Sequence, residues 1–420
     1  MPSTTAPLPA WLKRALFAAG IGRPKAAAPA PSTAAVQPAA ASAPSALPLA
    51  ILAAALRAPH GASPEELAAA IAGNKARLDL DPELVDDDGF PIVSARSDAA
   101  VDEAVKDEIA EWLILSGMAE LHLNEAQWRA LTLGTAVVCD LASEALMQWM
   151  PTEGAPPQLR LMTILPASWT VEQRHAAGLW FKHTVAQFGW PVDHLTRIDV
   201  PPDAAPAAIL GQCAADSQVP NKRVATMLVA CDSHIEQETV DRWAGSNSLC
   251  TTARAGGRIP GEGAAGLLLT SLEGARQSAD AVFAQLYPLS ETRREVSIDS
   301  AKRLDPKRLV DLAECAVHAA GRQLADVATL AADTDHRASR ALELMGLASS
   351  ALPQLDGTAD VLRAGATTGT CGAVPFLCAL ALARHAALAS NAPALFVSND
   401  DPFTCYMALV GPPLPPAMPA

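Results

Sequence analysis

From residue 49 onward, short apolar runs alternate with segments whose apolar positions recur every three or four residues. The runs L-R-L-M-T-I-L (159–165), V-A-T-M-L-V-A-C (224–231), A-G-L-L-L-T (265–270) and Y-M-A-L-V (406–410) are short and almost free of charge, and read as buried strands. The helical segments carry different signals. In S-P-E-E-L-A-A-A-I-A-G, Ser63 is placed to cap, Pro64 takes the first helical position, Glu66 completes a capping box and Gly73 is the stop. In D-P-K-R-L-V-D-L-A-E-C-A-V-H-A-A-G, Asp305 and Pro306 open a helix with Leu309, Leu312, Ala313 and Ala316 on one face. Strands alternating with helices imply an α/β layered fold in which helices cover the sheets.

The first 48 residues break this pattern. Residues 24–48 are an Ala/Pro/Ser linker that cannot pack a core, preceded by a short amphipathic stretch with Trp11, Leu12, Ala15 and Leu16 on one side. Order is expected to begin near Leu49. Lys13 and Arg14 are followed by too short an apolar run for an export signal, and no uncharged stretch has the make-up of a membrane span.

The chain has 420 residues, half of them hydrophobic, so it can bury a large core. A net charge of −14 excludes a surface that tracks phosphates, and with it nucleic acid as a partner. The eight cysteines are scattered and sit mostly in apolar runs, as small core residues do, which points to a reducing, cytosolic setting.

Several motifs offer chemistry and are read as structure. Gly261, Gly263 and Gly266 form a G-x-G-x-x-G, but a dinucleotide loop follows a strand and opens a helix, and here the apolar run comes after the glycines. Cys231-x-x-His234 and Cys315-x-x-His318 formally offer zinc ligands, yet the second pair lies within an amphipathic helix, so no metal is expected. The acidic run at 79–89 lacks calcium-loop spacing and reads as a solvated loop. No P-loop or nucleophile elbow occurs, and no cofactor is expected.

Four segments taken in order, V-A-C-D-S-H (229–234), I-P-G-E-G-A-A-G-L-L-L (259–269), G-A-T-T-G-T-C-G-A-V (365–374) and V-S-N-D-D-P-F-T-C-Y-M-A-L-V (397–410), resemble the β-ketoacyl synthases of the thiolase superfamily. The resemblance runs from about residue 49 to 411 and implies a five-layer αβαβα fold built from two similar halves, 49–275 and 276–420, normally as a homodimer. The small residues also make sense without a ligand. Gly261, Glu262 and Gly263 belong to the strand motif, and Gly369 and Gly372 let a helix start against the sheet.

The resemblance also implies a Cys-His-His site that condenses acyl thioesters, and this chain departs from it at all three places. The cysteine position falls near Pro201, Pro202 and Asp203; Cys213, the nearest thiol, reads as part of the following helix. The first histidine position matches Ala332 or Asp333, with His336 out of register, and the second matches Ala366. In the closing segment, the family's flexible glycines are replaced by Asp400, Asp401, Pro402, Phe403 and Thr404, which stiffens and acidifies that loop. No condensation is therefore expected. Cys231 and His234 are the pair left for a relocated reaction.

A chain of this kind resembles the ketosynthase-like accessory proteins of bacterial type VI secretion loci, which implies an adaptor or chaperone whose partner is another protein, such as a secretion effector or spike component. The competing expectation is an acyl-thioester enzyme or acyl-carrier-binding subunit. Carrier proteins are acidic, so that role calls for a basic patch, and Lys222-Arg223, Lys302-Arg303 and Lys307-Arg308 are the clusters present.

Overall fold

The computed structural model describes residues 48–150, 155–219, 223–279, 282–300 and 305–413. The amphipathic stretch around Trp11, most of the linker, and Lys222, Lys302 and Arg303 lie outside these residues.

The first part of the chain runs β1 (Leu49–Arg57), α1 (Pro64–Ala72), β2 (Asp79–Val85), β3 (Pro91–Ser94), α2 (Glu103–Leu115), α3 (Glu125–Trp149), β4 (Gln158–Ile164), α4 (Val171–Gln187), β5 (Leu195–Asp199), α5 (Pro206–Ser217), β6 (Val224–Ser233), α6 (Gln237–Gly245), β7 (Glu262–Ser271) and α7 (Leu272–Arg276). The remainder comprises β8 (Ala284–Leu286), β9 (Ser290–Arg293), α8 (Lys307–Ala319), β10 (Thr329–Ala332), α9 (Ala338–Ala351), β11 (Val361–Arg363), α10 (Gly365–Thr368), α11 (Val374–Ser390), β12 (Ala394–Ser398) and β13 (Thr404–Gly411).

One strand order occurs twice. Across the sheet the first five strands lie β5-β4-β6-β7-β1 and the second five β11-β10-β12-β13-β8, which is third, second, fourth, fifth, first in each set. The directions repeat as well. β4 is parallel to β5 and β6 as β10 is to β11 and β12, and the last two strand pairs of each set are antiparallel. Antiparallel pairing of Leu49 with Leu286 and Ile51 with Ala284 joins the sets into one sheet.

The alternation of side chains along the strands builds the layers. On β6, Ala225, Met227, Val229 and Cys231 pack with α3 and α4, while Leu228 and Ala230 turn to the opposite face, toward α5 and α11. On β12, Ala394 and Phe396 join that same central cluster, and Leu395 and Val397 face α8 and α9. Helices α5 and α11 thus lie between two sheet halves, each covered outside by its own helix pair: five layers, αβαβα. Because α11 touches a sheet on both sides, Val374 to Ala383 are all buried, and its sequence is apolar all round.

Local signals account for the helix ends. Ser63 Oγ accepts the Glu66 N–H, as the sequence predicts, but Glu66 Oε2 accepts from Ala62 N–H at 2.9 Å, one residue before the cap. Asn124 with Gln127 and Thr170 with Gln173 form reciprocal capping boxes on α3 and α4. Helix α3 is long and apolar enough to cross a membrane by length and composition. Most of it is buried, against β1, β6 and β7, as a core helix.

The acidic run at 79–89 is corrected by the structure. Its first half is strand β2, paired with β3. Asp81 is buried there, and its carboxylate accepts from Ser94 Oγ (2.5 Å), Arg96 Nε (3.0 Å) and the Glu83 and Leu84 N–H groups. Those donors, Arg96 foremost, hold its carboxyl at about 2 despite burial. Only residues 86–89 form a turn, closed by Gly89 at φ 79°.

Candidate functional site

The segment before α5, the end of β10, the α10 turn and the β12–β13 connection converge on one cleft of about 720 Å³. Its wall carries five aspartates (Asp203, Asp333, Asp335, Asp400, Asp401), two arginines (Arg258, Arg337), His234, Cys371 and Tyr406.

Of the positions singled out in the sequence, Asp203 and Asp333 line this cleft, and Ala332 and Ala366 do not. Asp203 stands exposed on the wall. Ala332 is the last residue of β10 and is buried against the outer helices, so strand alternation gives the cleft to Asp333. Ala366 opens onto a separate depression of about 230 Å³, and Gly365 faces the cleft instead. A side chain at 365 would start 2.0 Å from the Asp333 carbonyl oxygen, which fixes how the α10 turn lies on the strand end. His336 bonds the Gly257 carbonyl oxygen through Nε2 at 2.8 Å and is not on the cleft wall.

Cys231 and His234 are not brought together. Cys231 faces outward, its Sγ 3.1 Å from where a Cβ on Gly134 of α3 would lie, and burial pushes the thiol up. The reason is the two-residue period of β6, which groups Asp232 with His234 on the opposite face. His234 Nε2 lies 3.5 Å from Asp232 Oδ2, and its ring centroid is 5.0 Å from that of Trp243. Alternation in C-D-S-H was the available signal for Asp232. The formal zinc set is likewise divided, since Cys315 sits exposed on α8 in the other outer layer. Cys371 lines the cleft but is 1% exposed, with Sγ 3.5 Å from the Thr368 carbonyl oxygen. Burial, with Asp232 nearby, pushes its thiol well up.

The acidic loop at 400–404 is clamped. Asp333 accepts from Ser398 Oγ (2.5 Å), Asn399 N–H (2.9 Å) and Asp400 N–H (3.2 Å). Burial and the charge of Asp400 raise its carboxyl from 3.8 to about 7. Arg337 joins Asp335 and Asp400 at 2.5 Å each. Arg340, fully buried, donates to both oxygens of Asp299 and to the Asp400 carbonyl oxygen at 3.1 Å. Beneath them Glu343 pairs with Arg294 at 2.6 Å and accepts from Asn399 Nδ2. None of these pairings involves a flexible glycine. The loop is therefore held rigid at the mouth of the cleft.

The glycine motif supports the same region from below. Gly263 and Gly266 lie within β7, so the G-x-G-x-x-G is a strand and its approach, as the sequence order predicts. A Cβ on Gly261 would fall 2.0 Å from the Thr368 carbonyl oxygen, and Gly369 and Gly372 turn the chain at φ 62° and 56°. Gly261→Ala is expected to cost about 2–3 kcal/mol by forcing two backbones apart. Gly211→Ala, in mid-α5 with nothing within 4 Å of the new methyl, should instead stabilise by about 0.5–1 kcal/mol. Urea unfolding followed by tryptophan fluorescence separates the two.

No protein-family model matches the sequence, and no curated protein matches it. Solved structures match in fold. The ketosynthase from module 6 of the bacillaene synthase of Bacillus subtilis 168 superposes with a TM-score of 0.56 at 12% identity, covering 88% of this chain and 72% of that one. The oxazolomycin ketosynthase domain of Streptomyces albus JA3453 gives 0.56 at 13%, covering 88% and 76%. The ishigamide ketosynthase/chain length factor gives 0.54 at 14%, covering 86% and 99%. With the repeated strand order and the five layers, these matches show that the chain has the thiolase-like fold of ketosynthases.

Proposed function

We propose that this chain uses a ketosynthase-like fold to bind another protein and does not condense acyl thioesters. The observation that carries the reading is that the residues the motifs match to a cysteine and two histidines are Asp203, Ala332 or Asp333, and Ala366, none of them a thiol or an imidazole, with Asp203 and Asp333 on the cleft wall. A nucleophilic thiol needs surroundings that favour thiolate, and carboxylates do the reverse. The one cysteine on the wall, Cys371, is buried with its thiol pushed up. The chain's partner, in this reading, is a secretion effector or spike component and the working form a homodimer, both drawn from the sequence resemblance, in the cytosolic setting that the scattered cysteines suggest. A pull-down from the native host, with sizing of the purified protein, addresses these points.

The central test is acyl transfer. Incubated with octanoyl-N-acetylcysteamine, the Cys315→Ala protein, which lacks the exposed thiol, is expected to show no acyl adduct in its intact mass. A stoichiometric adduct at Cys371 overturns the reading. One observation favours an acyl-binding subunit as the second reading: an apolar pocket of about 290 Å³, lined by Leu49, Leu210, Leu286 and Leu289, adjoins the cleft.

A further inference from the structure

The charges on the cleft wall do not balance. Of the five lining aspartates, Asp335 and Asp400 are occupied by Arg337. Asp333 is occupied by Ser398 and two N–H groups. Arg258 lies over the Trp243 ring, 5.5 Å from its centroid. Asp203 forms no ion pair among the described residues, and the Asp401 carboxylate accepts from the Phe403 and Thr404 N–H groups while its backbone carbonyl oxygen accepts from Arg294 Nη1 at 3.3 Å.

A sixth carboxylate stands directly behind the wall. Asp232 is 4% exposed, and its Oδ1 has no hydrogen-bond partner among the described residues. Its Oδ2 lies between two wall residues, 3.5 Å from His234 Nε2 and 2.7 Å from where a Cβ on Gly372 would be. With glycine at 372, that wall residue puts no side chain against the carboxylate. A buried carboxylate oxygen left without a donor costs free energy, and a cation entering the cleft supplies one.

The cleft and the apolar pocket share part of their walls. Ala207 and Tyr406 line both, so a polar head among the aspartates is contiguous with an aliphatic stem beside Leu210 and Leu289. We propose that the two cavities together bind an alkyl cation, with its ammonium or guanidinium head among Asp203, Asp232 and Asp401 and its stem past Ala207 and Tyr406. This rests on the reading that no acyl thioester is processed in the cleft, and it specifies the ligand there: a lysine or arginine side chain of a protein partner, or a free alkylamine.

Isothermal titration of the full chain with n-octylammonium and with octanoate tests the charge preference, since the two share a tail and differ in the sign of the head. Octylammonium is expected to bind at least about tenfold more tightly, with Asp203→Asn and Asp232→Asn each weakening it roughly tenfold. An acetylated, amidated peptide with one lysine between leucines then assigns the source: tighter binding of the peptide indicates a protein side chain, and tighter binding of the amine a small molecule. Both outcomes support the inference. Binding of neither cation, equal binding of octanoate, or affinity unchanged in Asp203→Asn and Asp232→Asn overturns it. If no acyl adduct forms while the cations fail to bind, the non-condensing reading stands and the ligand assignment alone falls.

Discussion

Glu262→Ala is expected to lower the stability of the folded chain by about 3–5 kcal/mol, the range for leaving a buried charge without its partner. Glu262 is fully buried, and four protein groups spend hydrogen bonds on its carboxylate. Arg129 donates through Nε (2.8 Å) and Nη2 (2.6 Å), Ser97 through its backbone N–H (2.7 Å), and Ser233 through Oγ (2.9 Å). Those donors come from α3, from the segment after β3, and from the end of β6. The side chain therefore ties three separate pieces of the first half to the start of β7. With alanine, Arg129 at 3% exposure loses its carboxylate partner and retains only the Ser97 carbonyl oxygen at 3.1 Å. Arg129→Met combined with Glu262→Leu should recover part of the loss, because the buried guanidinium is removed with its partner. Urea unfolding of the three proteins measures this, and a loss below about 1 kcal/mol in Glu262→Ala contradicts the account.

This residue also shows how much of the fold the sequence disclosed. The G-E-G-A segment was legible as a strand because its glycines precede an apolar run, and β6 and β7 came out close to their predicted ranges. The helix at 307–319 buries Leu309, Leu312, Ala313 and Ala316 as its periodicity requires. Long-range pairing was not legible. Nothing in L-A-I-L-A-A-A-L-R announces that β1 pairs with β7 on one side and β8 on the other, since an apolar run fits either neighbour. The acidic run failed for a related reason: composition suggested solvent, and only the distant Arg96 and Ser94 make Asp81 a buried anchor. At the site, two of the positions marked by the motifs, Asp203 and Asp333, line one cleft. Ala332 and Ala366 turn away from it because one step along a strand or tight turn reverses the face presented. The same step separates Cys231 from His234 and brings Asp232 forward.

Asp333 ties the site to the stability of the whole fold. Its carboxyl is raised from the ordinary 3.8 to about 7, first by burial and then by the Asp400 charge, against the lowering effect of Ser398 and the two N–H donors. Asp400, in turn, is raised by its own burial and is drawn back by Arg337 and Arg340. Below pH 3.8 folded and unfolded chains both hold the Asp333 proton, and this group leaves stability unchanged. Between about 3.8 and about 7 the unfolded chain releases the proton while the folded chain keeps it, so stability falls as pH rises. Above about 7 both forms are ionised and the loss is complete, about 4 kcal/mol at 1.36 kcal/mol per unit. Asp333→Asn carries no charge at any pH, and its amide can accept from the Asn399 and Asp400 N–H groups and donate to Ser398. The variant is therefore expected to match the parent near pH 4 and to exceed it at pH 8, the gap opening across that interval. Denaturant unfolding at several pH values reads the gap directly. A parent as stable as Asp333→Asn at pH 8 would mean that its three donors outweigh burial, leaving an ionised Asp333 at the cleft. A measured gap shows instead that the fold tolerates a carboxyl that resists ionisation at the place where the second half meets the cleft. That is a cost in stability which packing alone does not require, and which a cation bound in the cleft would reduce.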